Sequence, residues 1–148
     1  MTPKGMAHGR PLFHRRSRSM PKRVTNFEIY GDEPERLANF YHELLGWQIE
    51  PAEGIDYWRI AIEPEEGGLA HGGITRRPAF THQGWLNFIE VDSLDSTIET
   101  ARCLGGTIVK DKTAVPRTAW HAVIADPAGN AFLVWQADQN AFPPPEPD

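Results

Sequence analysis

The chain of 148 residues contains one cysteine, Cys103, so it lacks the thiols for an internal disulfide or a thiolate zinc cluster. That excludes a disulfide-stapled secreted scaffold and a zinc finger, and it fits a reducing, cytoplasmic setting. No apolar run approaches the roughly 18 consecutive residues of a membrane-spanning helix, and the N-terminus has no apolar core of a secretory signal. Glycine-rich phosphate loops, Walker motifs and nucleophile elbows are missing too. What is present suffices for one domain: 40% of residues are apolar and 10% aromatic, enough at this length to close a single core.

The net charge of -5 conceals an asymmetry. Lys4, Arg10, Arg15, Arg16, Arg18, Lys22 and Arg23 stand in a segment without an acid. Of the 15 basic residues in the chain, 8 are left to face 20 acidic ones, a body charge of about -12. Such a body offers no nucleic-acid-binding surface. Residues 1–21 read as a disordered basic leader: either a weak polyanion-binding or targeting arm, or an extension upstream of Met20 without a role. At the far end, Pro143-Pro144-Pro145-Glu146-Pro147 cannot enter a sheet interior or a helix, so residues 138–148 read as a proline-rich tail.

Between these termini the sequence is an internal duplication. Val24 to Tyr30 alternates with period 2 and ends at Gly31, as a half-buried strand does. A helix follows, with Asp32 as its expected cap, Pro34 in its first turn, an inward stripe of Leu37, Phe40, Tyr41 and Leu44, and a stop at Gly46. Extended segments are expected near 47–51, 57–62 and 71–76, with turns at 51–54 and 64–68. After residues 78–84 the order recurs: a strand from Trp85 to Val91, a helix from Leu94 to Leu104, then strands near 106–110, 119–125 and 131–136. Asp32 matches Asp92 and Leu45-Gly46 matches Leu104-Gly105, so two βαβββ units of nearly equal length are expected.

The helix segment Pro34-Glu35-Arg36-Leu37-Ala38-Asn39-Phe40-Tyr41-His42-Glu43-Leu44-Leu45-Gly46-Trp47 and the hairpin Asp126-Pro127-Ala128-Gly129-Asn130, with Phe132 and Trp135-Gln136, resemble two signature stretches of the vicinal oxygen chelate superfamily. Together they bracket residues 22–137. The resemblance implies glyoxalase-like, bleomycin-resistance-like and dioxygenase relatives, and an α+β fold. Modules 22–77 and 84–137 would form a cupped mixed sheet around a small-molecule cavity, with helices on the outer face. Members commonly pair, so a homodimer is implied as well.

The resemblance also implies four metal-ligand stations facing the cup, which fall here on Asn26, Gly73, Leu86 and Leu133. None is a usual donor, so no metal or other cofactor is expected at them. If Asn26 faces the cup, alternation brings Glu28 and Tyr30 to the same face, and Leu86 brings Phe88. Pairing Ala125 with Ala131 across the last hairpin sets Val123 opposite Leu133 and His121 opposite Trp135. His71 joins them if Gly73 keeps its orientation. A relocated metal site of Glu28, His71 and His121 is conceivable, although each step of two residues moves a donor by about 6.6 Å, several metal–ligand bond lengths. Trp47 and Trp58 read as core, Trp85 and Trp120 as pointing away from the cup, and His42 as exposed.

Three function classes follow. One is a metal-free protein binding an apolar or aromatic compound through Asn26, Tyr30, His71, Leu86, Phe88, Val123, Leu133 and Trp135. Another is a lyase or isomerase with Glu28 and His121 as catalytic acid and base, or with a relocated metal. The last is a scaffold acting through its tails. Glu28 also has a purely architectural reading, accepting hydrogen bonds from Asn26, Tyr30 or nearby backbone and so ordering the sheet.

Overall fold

The computed structural model of the protein describes residues 21–62 and 70–143. Most of the basic leader, the turn expected at 64–68 and residues 144–148 lie outside them.

The element order is β1 (Val24–Tyr30), α1 (Pro34–Leu45), β2 (Gln48–Pro51), β3 (Tyr57–Ile62), β4 (Ala70–Thr75), then β5 (Trp85–Glu90), α2 (Leu94–Cys103), β6 (Thr107–Val115), β7 (Ala119–Ala125) and β8 (Ala131–Ala137). All eight strands join one cupped mixed sheet in the order β2-β3-β4-β1-β5-β8-β7-β6. Each module closes through a parallel pair, β1 with β4 and β5 with β8, and the modules meet where β1 runs antiparallel to β5. The expected α+β fold of two βαβββ modules is the observed one.

Each helix covers its own module. Leu94 and Ile98 of α2 pack on Val91, Ala122, Ile124 and Val134. Ala38 of α1 packs on Ile29, Ile60 and Ile74, with Trp47 and Trp58 against them. A third cluster, Tyr30, Leu86, Val123 and Leu133, belongs to the opposite, concave face. Trp85 turns away from the cup as expected, stacking on Phe27 at 5.2 Å beside Tyr41 of α1. Trp120 does the same under α2, where its Nε1 donates to Asp138 at 3.0 Å.

Four local expectations need correction. Asp32 does not cap α1: Glu33 is the N-cap, without a side-chain bond, and the Asp32 carbonyl instead accepts from Arg76 at 2.8 Å. The α1 stripe is also displaced, because the buried positions are Pro34 and Ala38, flanked by Leu37 and Tyr41. At about 100° per residue, Phe40 falls nearly opposite Ala38 and Leu44 to the flank of that face, and they are 56% and 65% exposed. Strand β6 runs to Val115 rather than stopping at 110. It is an edge strand whose pairing with β7 shifts register twice, and these bulges break the period-2 pattern that would have revealed it. Finally, the expected tail does not begin at 138: the Ala141 carbonyl accepts from the Arg117 amide at 2.8 Å, and Ala141 is fully buried.

Turn chemistry fixes the last hairpin. Asp126 Oδ1 accepts from the amides of Ala128 and Asn130, both at 2.9 Å, and Gly129 supplies the positive φ of 92°. These bonds hold the Asp126 carboxyl below its ordinary pKa. The resulting register pairs Ala125 with Ala131, Val123 with Leu133 and His121 with Trp135, as the sequence requires.

Candidate functional site

The concave face encloses a cavity of about 550 Å³. Strand alternation decides what reaches it. From β1, Asn26, Glu28 and Tyr30 point inward; β5 adds Leu86 and Phe88, β8 adds Leu133 and Trp135, and β7 adds His121. Two expected ligand positions stand apart. Val123 is fully buried in the cluster below the lining, and His71, on the exposed start of β4, does not border the cavity.

At the centre of the first module's wall, Glu28 bridges two phenols. Tyr30 Oη donates to Oε1 at 2.8 Å and Tyr57 Oη donates to Oε2 at 2.9 Å. Burial first, then the neighbouring Glu28 charge and the hydrogen bond to it, push both tyrosines well above the ordinary phenol range. The architectural reading of Glu28 is thus realised in part, with Tyr57 as the unforeseen partner. Tyr57 reaches Glu28 by crossing Gly73, where a Cβ would overlap the Tyr57 hydroxyl. Glycine at 73 and tyrosine at 57 are one device.

On the second module's side, Trp135 is pinned by its indole N–H, which donates to Thr25 Oγ1 at 3.1 Å. Thr25 sits at a register shift in the β1–β5 pairing and in turn donates to Asn26 Oδ1 at 2.8 Å. His121 has no such support. Its Nδ1 is buried without a hydrogen-bond partner, and burial followed by the charge of Lys110 lowers its pKa, which favours the uncharged ring.

Three of the four stations that the resemblance implies for a metal carry no donor side chain here. Leu86 and Leu133 offer carbon, and the space a donor at 73 would need is taken by the Tyr57 hydroxyl. Nor does the relocated trio assemble. Among the described residues no three His, Cys, Asp or Glu side chains gather closely enough to hold a metal. Glu28 on β1 and His121 on β7 are three strand spacings apart, about 14 Å along a flat sheet, and His71 lies outside the cavity.

Tyr57, Thr75, Arg76, Pro78, Phe80, Val115 and Ala119 also line the cavity and were not anticipated. Tyr57 alone left a signal: it alternates with Arg59 along β3, opposite a glycine-bearing strand. Phe80 comes from the linker between modules, and Val115 and Ala119 from the end of the long bulged hairpin, where periodicity carries no information.

A cupped sheet of paired βαβββ modules with helices outside is the architecture of the glyoxalase/bleomycin resistance/dioxygenase superfamily, and this chain is a member. More narrowly, the family model of the glyoxalase-like domain matches residues 28–135, so the chain belongs to that family. Among solved structures, one described as an NAD-dependent benzaldehyde dehydrogenase from Legionella pneumophila is 17% identical with a TM-score of 0.56, covering 80% of this chain and 100% of that one. A superfamily member from Vibrio splendidus 12B01 has 14% identity and a TM-score of 0.56 over the same shares, 80% and 100%. Methylmalonyl-CoA epimerase from Streptomyces coelicolor has 13% identity and a TM-score of 0.52, over 78% and 96%. Identities this low carry the fold and not the activity. A search of curated proteins gives no significant match.

Proposed function

We propose that this chain is a metal-independent small-molecule-binding member of the superfamily, seating an apolar or aromatic compound in the cup. The observation that carries this is the cavity itself. Its 550 Å³ falls in the range of small-molecule sites, and a wall of Leu86, Phe88, Leu133 and Trp135 faces a few convergent polar groups. Asn26 and Tyr30 contribute to the polar side, while Val123 supports the lining from below. His71 is left with no more than a contact at the rim. A homodimer goes with this reading, since β2 and β6 end the sheet as open edges.

Native mass spectrometry of the purified protein tests the proposal, with a retained organic ligand expected. Melting curves with Zn²⁺, Ni²⁺, Co²⁺, Mn²⁺ and Fe²⁺ are expected to coincide with the metal-free curve. A stoichiometric metal that raises the melting temperature would overturn the metal-independent half of the proposal.

A second reading is a lyase or isomerase with Glu28 and His121 as acid and base. It is favoured by His121, whose ring has a buried nitrogen free to take or give a proton. The epimerase among the neighbours shows that the fold can host an enzyme. The separation of β1 and β7 weighs against both groups reaching one reacting atom. Under this reading Glu28→Gln and His121→Gln each abolish turnover of a substrate that still binds; under the first, no turnover exists to lose.

A further inference from the structure

The polar wall of the cavity has committed its protons. Tyr30 and Tyr57 each give their single hydroxyl hydrogen to Glu28. A phenol has one hydrogen and two lone pairs, and a carboxylate has about four acceptor sites and no hydrogen. These three side chains therefore face the cavity with acceptors only. On β1 the Asn26 amide NH₂ stands beside them as a donor, since the carbonyl of that amide accepts from Thr25.

Charge points the same way. Among the described residues no ion pair involves Glu28. Arg76 also lines the cavity, but its Nε is held by Asp56 at 2.9 Å and a terminal nitrogen by the Asp32 carbonyl at 2.8 Å. Lys110 rests over the Phe80 ring at 5.6 Å. Arg59 stands across Gly73 from Glu28 in the strand register and its charge acts on Tyr57, but it is exposed and, among the described residues, forms no ion pair with Glu28. A half-buried carboxylate without a direct ion-pair partner, set between two phenol rings, is an environment in which a ligand cation gains.

Resting on the reading that the cup holds an apolar small molecule, we infer that its ligand is an organic cation: a protonated amine on an apolar or aromatic body. The ammonium hydrogens fall to the acceptor sites of Glu28 that the two phenols leave open, and the body lies against Phe88, Leu133 and Trp135. An alcohol would supply one hydrogen and no charge. A carboxylate would meet a wall of acceptors.

Phenethylamine, phenethyl alcohol and phenylacetate share one body and differ in charge, so they test this on the full chain by tryptophan fluorescence titration at neutral pH. The amine is expected to bind at least about tenfold tighter than the alcohol, with the carboxylate weakest. Glu28→Gln should bring the amine to the level of the alcohol. Tyr57→Phe keeps the carboxylate and frees an acceptor site on Oε2, so it should widen the amine preference, and this variant serves if Glu28→Gln does not fold. An alcohol or carboxylate that matches the amine in the wild type overturns the inference, as does a preference that Tyr57→Phe leaves unchanged or narrows. Leu133→Trp, verified as folded by circular dichroism, fills the cup and separates the two levels. If it abolishes binding of all three probes while the amine has no advantage, the cavity reading stands and only the cation fails. If no probe binds the wild type, or Leu133→Trp changes nothing, both fall.

Discussion

The two modules repeat one topology and line the cavity with opposite chemistry. The first contributes Asn26, Glu28, Tyr30 and Tyr57; the second contributes Leu86, Phe88, Leu133 and Trp135, with His121 as its single titratable group. Their helix-facing sides do not differ in this way, since both are aliphatic and aromatic clusters beneath a helix. Strand alternation explains how one face can diverge while the other is held. Side chains at period 2 leave the sheet on opposite sides, so the cup face can change composition without disturbing the packing that folds the module.

The comparison breaks most visibly on the apolar wall. Leu86 is 1% exposed, and Leu86→Ala should cost about 2–5 kcal/mol in urea unfolding, because the cup cannot collapse onto the space left behind. A loss below 1 kcal/mol would mean that this wall is a yielding surface.

On the polar wall the sharpest probe is a methyl group. Gly73→Ala places a Cβ where the Tyr57 hydroxyl lies and should expel it from Glu28, at a cost of about 1–3 kcal/mol for overpacking. Ultraviolet titration reads the result directly: one tyrosine should return toward the ordinary phenol pKa. If both tyrosines still ionise as in the wild type, the crossing of Tyr57 over Gly73 is disproved.

Tyr57→Phe removes only the hydroxyl and should cost less, about 1–2 kcal/mol for a partly exposed bond to a carboxylate.

The smallest effect concerns His121. Its pKa is lowered in the folded state, so the unfolded chain takes up protons first on acidification, and stability falls as pH drops below the ordinary histidine value of about 6.5. His121→Phe should flatten the decline in melting temperature between about pH 7 and 5.5 relative to the wild type. An unchanged slope would show that the orphaned ring nitrogen is solvated.

Much of the fold was legible because it rests on local rules. Gly46 ends α1 in the left-handed conformation, and Asp126 with Gly129 closes the last hairpin. From that hairpin alone, counting residues in pairs places His121 opposite Trp135. The α1 stripe was half misread: Leu37 and Tyr41 pack against the core, whereas Phe40 and Leu44, which satisfy the same helical period, lie where the sheet does not cover the helix. Nothing within the helix marks Ala38, rather than Phe40, as the point of closest approach.

By itself the sequence determined the duplication, the two βαβββ modules and which residues of β1, β5 and β8 share a face, since each follows from periodicity and turn chemistry within a few residues; which of those faces is the inward one was implied by the resemblance. Only the tertiary structure decided that Tyr57 crosses Gly73 to reach Glu28, that Trp135 hangs from Thr25, and that His71 does not border the cavity. Those contacts join residues 29 to 110 positions apart, or turn on the depth of a curved sheet. The physical reason is that a strand's own pattern fixes which face a side chain takes, while what it meets there is set by neighbouring strands brought in from distant parts of the chain.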